Sequence, residues 1–145
     1  MPRNQKDSTY DHQLLLKDAG AVTTSGNGTV AAAARVIDLG ASRCDFRVLV
    51  DVAAIDVADG NENYILQVQV SNSPSFANTV VAVASKQLGD STVTGNTVDS
   101  VIGRYEIATS NEENGVVYRY LRIRHVLAGT TPSINYTAYA VKSTT

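Results

Sequence analysis

The stretch CDFRVLVDVAAID, residues 44 to 56, constrains this chain more than any other. Cys44, Phe46, Val48, Val50 and Val52 recur at every second position, with Asp45, Arg47, Leu49 and Asp51 between them. A period of two sends the first set to one face of an extended strand and the second set to the other, so the segment reads as a half-buried β-strand. YILQVQVS repeats the pattern, with Tyr64, Leu66, Val68 and Val70 against Gln67 and Gln69. Asp59-Gly60 lies between the two runs and suits a tight turn, because glycine accepts a positive φ without strain. The spacing predicts an antiparallel pair joined at that turn.

The remaining chain continues the alternation. NTVVAVASKQL (78 to 88), GRYEIAT (103 to 109), VVYRYLRIRHVL (116 to 127) and INYTAYAVK (134 to 142) are further predicted strands. Asn114-Gly115 is the strongest hairpin signal. TVAAAARVIDL (29 to 39) is predicted as a strand: four alanines are too few to nucleate a helix, and the neighbouring Val and Ile favour extension. Apolar residues are mainly Val, Ala, Ile and Leu, and no long helical pattern appears. The expected class is all-β, one antiparallel sandwich or barrel of about eight strands over residues 14–145. A chain of 145 residues buries about two-thirds of its unfolded surface and can hold its own core. Residues 1–13 are polar and aperiodic, and are expected to form an extended arm.

Charge and residue types narrow the function. Twelve basic and fourteen acidic residues leave a net charge of −2, which does not draw in a polyanion, so no nucleic acid is expected as partner. The start shows no apolar stretch of a secretory leader, and no segment is apolar enough to predict a membrane helix. The one cysteine, Cys44, reads as a small buried hydrophobe. DVADGNEN gathers acidic and amide oxygens, but Ile55 and Val57 break the spacing of a helix-loop-helix calcium site, and a hairpin turn explains the same residues. Glu112-Glu113 reads as solvated turn charge. With only His12 and His125, no metal cluster or nucleophile–base pair is expected, and no catalytic residue or cofactor is predicted.

YRYLRIRH, residues 118 to 125, is the stretch most open to a binding role. Strict alternation puts Val117, Arg119, Leu121, Ile123 and His125 toward the core. Tyr118, Tyr120, Arg122, Arg124 and Val126 share the outer side. Two tyrosines and two arginines in alternation suit a protein interface, or else a solvent-facing strand whose arginines pair with carboxylates on neighbouring strands.

The order of these pieces resembles the capsid cement (decoration) proteins of tailed bacteriophages. YDHQLLLKDAGAVTTS, RVIDLGASRCDFRVLVDV, YILQVQVSNSPSFAN, GRYEIATSNEE and YRYLRIRHVLAGTTPSINYTAYAV carry the likeness, from about Tyr10 to Val141. The resemblance implies a jelly roll that forms a homo-oligomer, dimer or trimer. It also implies a place on the outer capsid surface of the virion, where the protein holds major capsid protein subunits together, with no catalytic residues. Arg3, Lys6 and Tyr10 in the arm, with Tyr118, Tyr120, Arg122 and Arg124, are the candidate partner-binding residues. The alternative expectation is a carbohydrate- or receptor-binding β-sandwich module.

Overall fold

The computed structural model describes residues 14–90, 92 and 102–142. The expected arm of residues 1–13, with Arg3, Lys6 and Tyr10, lies outside them. The described residues form fourteen strands: β1 (Leu15–Lys17), β2 (Ala21–Val22), β3 (Gly26–Asn27), β4 (Thr29–Val30), β5 (Ala33–Ala34), β6 (Ile37–Asp38), β7 (Asp45–Ile55), β8 (Asn63–Ser71), β9 (Val81–Gly89), β10 (Gly103–Ser110), β11 (Glu112–Glu113), β12 (Val116–Val117), β13 (Tyr120–Ala128) and β14 (Ile134–Lys142).

Two antiparallel sheets carry the architecture. In the first, β1 and β2 both pair with β14, followed by β7 and β10. In the second, β3 and β6 both pair with β13, followed by β8 and β9. Taking β1 with β2, and β3 with β6, as interrupted single strands leaves eight strands beside the small hairpins β4-β5 and β11-β12. In chain order they lie 1-8-3-6 in one sheet and 2-7-4-5 in the other, which is the jelly-roll arrangement. The all-β sandwich expected from sequence is the observed fold.

The alternating apolar residues face each other between the sheets. Phe46, Val48, Val50 and Val52 of β7 meet Tyr64, Leu66, Val68 and Val70 of β8 and Leu121 and Ile123 of β13 in one cluster. Each such side chain, fully removed from water, contributes about 1.5–3 kcal/mol. Leu49, on the other side of β7, is also buried: with Tyr139 and Val141 it forms a second cluster on the outside of the first sheet, flanked by Leu15.

Two local expectations are corrected. First, β7 and β8 do not pair. Both edges of β7 are taken by β14 and β10, and both edges of β8 by β13 and β9. The Asp59-Gly60 segment is therefore a crossing between sheets and not a hairpin turn. It is fastened by the Tyr64 hydroxyl, which donates to Asp56 O at 2.5 Å and accepts from Ser133 N at 2.9 Å. Gly129 makes the close approach possible: its φ is 109°, and a Cβ there would stand 2.5 Å from Asn61 O.

Second, residues 29 to 39 are not one strand. Thr29–Val30 folds back on Ala33–Ala34 through Ala31 and Ala32, whose φ values are 53° and 65°. The left-handed region costs an L-residue about 1–2 kcal/mol, so this turn forms against local preference. The Ala31 N–H donates to Asp18 Oδ2 at 2.8 Å and offsets part of that cost. Asn114-Gly115, by contrast, makes the predicted hairpin between β11 and β12, with φ of 52° and 81°.

Candidate interaction face

β13 runs through the middle of the second sheet and gives each of its faces a different chemistry. Leu121, Ile123 and His125 point inward and are buried, whereas Tyr120, Arg122 and Arg124 are half-buried on the outer side. The register sets Arg122 opposite Gln69 and Arg124 opposite both Gln67 and Asn27. Arg122 Nε donates to Gln69 Oε1 at 2.8 Å, and Gln69 Nε2 donates in turn to Gln67 Oε1 at 2.8 Å. Arg124 Nη1 donates to Asn27 Oδ1 at 3.1 Å. Farther along, Gln87 Nε2 donates to Asn63 Oδ1 at 2.9 Å. The Arg122 guanidinium also lies 4.2 Å from the centre of the Phe76 ring, a cation–π stack that fixes its plane.

The acceptors on this face are neutral amides. Each amide oxygen takes one N–H of a five-donor guanidinium, which leaves most donors of Arg122 and Arg124 open to a partner. Among the described residues no carboxylate pairs with either side chain. Burial, and after it the positive charge of Arg124, push the Arg122 pKa below its ordinary value. Arg119, one residue before β13, differs. Its Nε and Nη2 each meet one oxygen of Asp38 at 2.8 Å, and the fork holds the Asp38 carboxyl at about 2, helped by the Gly40 N–H. Carboxylate pairing thus holds for Arg119 and fails for Arg122 and Arg124.

Tyr118 does not share the face, which corrects the strict alternation. The strand is interrupted at 118–119 between β12 and β13. Asn111 clamps the break: its O accepts from Tyr118 N at 2.8 Å and its Nδ2 donates to Tyr118 O at 2.9 Å. Asn72 Oδ1 accepts the Arg119 N–H at 3.0 Å. One irregular step inverts the pattern on one side of it. Tyr118 turns into the core at 9% exposure, and Arg119, expected inside, is exposed. Arg122, Arg124 and Tyr120 are brought together as read from sequence. Gln69, Gln67, Asn27 and Phe76 were missed; the Gln67/Gln69 alternation was visible, but not its pairing with β13.

The inner side of β13 carries a buried polar group. His125 Nδ1 lies 2.7 Å from the Tyr136 hydroxyl, and the rings meet edge to face. Lys17 Nζ donates to the carbonyls of Asp18, Gly20 and Tyr136 at 2.9, 2.9 and 2.7 Å, and stands 4.5 Å from the Tyr136 ring centre. Burial first, then the charges of Lys17 and Arg124, lower the His125 pKa to about 4. Burial likewise lowers that of Lys17 and raises those of Tyr136 and Cys44. Lys17, as a cation with three carbonyl acceptors, ties β1 to β14. Among the described residues no group of three His, Cys, Asp or Glu is placed to hold a metal ion, and no helix is long and apolar enough to cross a membrane.

No family model matches this chain, and no curated protein does. Among solved structures it is similar to the CBM22-1–GH10 modules of Clostridium thermocellum endo-1,4-beta-D-xylanase 10B, complexed with xylohexaose. The identity is 12% and the TM-score 0.39, and the match covers 96% of this chain and 28% of that one.

Proposed function

We propose that this protein is a capsid cement protein: a jelly-roll domain that docks on the outside of a phage capsid and ties neighbouring major capsid protein subunits together. The observation that carries the reading is the outer face of β13, where Arg122 and Arg124 are held by amide oxygens and, among the described residues, left without a carboxylate. Its guanidinium forks, that of Arg122 held flat against the Phe76 ring, suit carboxylates on another protein surface. The sequence resemblance from Tyr10 to Val141 supplies the identity of that partner. The role is structural, with no reaction to catalyse.

Cement action follows from linkage. A protein that binds the assembled lattice and not free subunits stabilises the lattice by mass action. A homo-oligomer that touches several capsomers gains avidity from each linked contact. Sedimentation of the full chain with expanded capsids is the test. Saturable co-pelleting at fixed stoichiometry, with an oligomer in solution, is the expected result. A monomer that stays in the supernatant sinks the reading, and saturable binding to host polysaccharide instead favours the carbohydrate-binding alternative.

A further inference from the structure

Tyr118, displaced from the arginine face, opens on a different feature. A hollow of about 250 Å³ is lined by Asn72, Ser73, Asn78, Thr79, Val116 and Tyr118. It lies where the loop after β8 meets the β11-β12 hairpin. Two of its polar residues are committed to the walls. Asn72 Nδ2 donates to Val117 O at 3.2 Å while its Oδ1 holds Arg119 N, and Ser73 Oγ contacts Ser75 Oγ at 3.1 Å. Among the described residues the other polar side chains of the hollow have no partner. The Tyr118 ring is nine-tenths buried, while its hydroxyl stays open to solvent and meets no partner among the described residues; both hydrogen bonds of this residue are made by its backbone. The side chains of Asn78 and Thr79 stand exposed at the rim, and Val116, 45% exposed, adds an apolar surface.

We infer that this hollow is a binding site for a neutral, hydroxylated ring: one pyranose unit of a carbohydrate. Three features select that class. Among the described residues no charged side chain lines the hollow, so none of them draws in an ion. Hydroxyl and amide groups beside an exposed valine match the mixed polar and apolar surface of a sugar. The volume, about 250 Å³, lies below the roughly 300–1,000 Å³ of ordinary small-molecule pockets, so the hollow has room for one ring at most. The inference does not depend on capsid docking, since the hollow and the arginine face share no residue.

Protein-observed NMR titration of the full chain tests it, with D-glucose, D-galactose, D-mannose, D-xylose and N-acetyl-D-glucosamine added singly. The expected result is saturable shifts at Tyr118, Asn78 and Thr79 with one of these sugars, at a Kd on the order of 1 mM. Tyr118→Phe keeps the ring and removes the hydroxyl, and is expected to weaken binding about tenfold with the unfolding midpoint preserved. Thr79→Ala, on the exposed rim, gives a second variant with no folding risk and weakens binding in the same direction. Arg124→Ala leaves it unchanged. The inference is overturned if none of the sugars shifts these residues at about 50 mM, if the shifts map elsewhere, or if both variants bind like the wild type.

Discussion

On the outer side of the first sheet, Arg104 sits directly opposite Asp51; on the outer side of the second, Arg122 sits directly opposite Gln69. Arg104 Nε and Nη2 meet the Asp51 oxygens at 2.7 and 3.0 Å, and Nη2 also donates to the Tyr139 hydroxyl at 2.9 Å. Arg47 Nη1 reaches Glu106 at 3.4 Å on the same face. These arginines find their counter-charges within the fold, beside the buried Leu49, Tyr139 and Val141. Among the described residues Arg122 and Arg124 find amide oxygens, and Arg122 the Phe76 ring, but no carboxylate. Cross-strand register decides the difference: arginine on an exposed strand face is satisfied or left seeking according to the residue opposite it. A self-neutralised face has little to offer a partner, whereas an unneutralised one has donors to spare.

The largest expected effect comes from reversing the unneutralised pair. Arg122→Glu with Arg124→Glu is expected to lower capsid retention about 10³-fold, because like charges across an interface cost several kcal/mol. Co-sedimentation reads it, and an equal loss from Arg104→Glu on the first sheet breaks the comparison.

Next comes acid, through the inward side of the same strand. An unfolded histidine titrates near 6.5, while folded His125 is held at about 4. Below pH 6.5 the unfolded chain takes up a proton that the fold refuses. The contribution of His125 is therefore complete above pH 6.5 and is lost as pH falls toward 4, by about 3 kcal/mol. Urea midpoints for the wild type and His125→Gln at pH 7 and 4.5 check this; parallel pH dependence in the two proteins contradicts it.

A smaller effect belongs to the neutralised face. Arg104→Ala removes a partly exposed ion pair and is expected to cost about 0.5–1 kcal/mol of stability with capsid retention unchanged. The smallest is a gain: replacing Ala31 and Ala32 by Asn and Gly relieves two left-handed alanines and is expected to add about 0.5–1 kcal/mol. Since neither face is touched, that variant separates fold stability from docking, and a change in capsid retention shows that the two are coupled.

Much of the sandwich was legible. Phe46, Val48, Val50 and Val52, and Tyr64, Leu66, Val68 and Val70, were placed on buried faces by alternation alone, and the Asn114-Gly115 hairpin by its turn chemistry. Partners were not legible. Nothing in residues 44 to 71 says that β7 and β8 lie in different sheets, since both a hairpin and a crossing begin with a polar turn. Arg122 and Arg124 were picked out as a pair, but their amide partners come from Gln69 and Asn27, 53 and 97 residues away in sequence. Tyr118 was misplaced because one irregular step at Asn111 and Asn72 inverts a period of two.

The sequence by itself determined which residues are extended, which side of each strand is apolar, and therefore an all-β sandwich. These follow from spacing along the chain, and burying apolar surface rewards them in any sheet. Only the tertiary structure decided which strand lies beside which. With that it decided that two arginines meet amides where two others meet carboxylates, and that Tyr118 opens on a polar hollow. Pairing depends on contacts between distant residues, and a local period carries no record of the neighbour across the sheet.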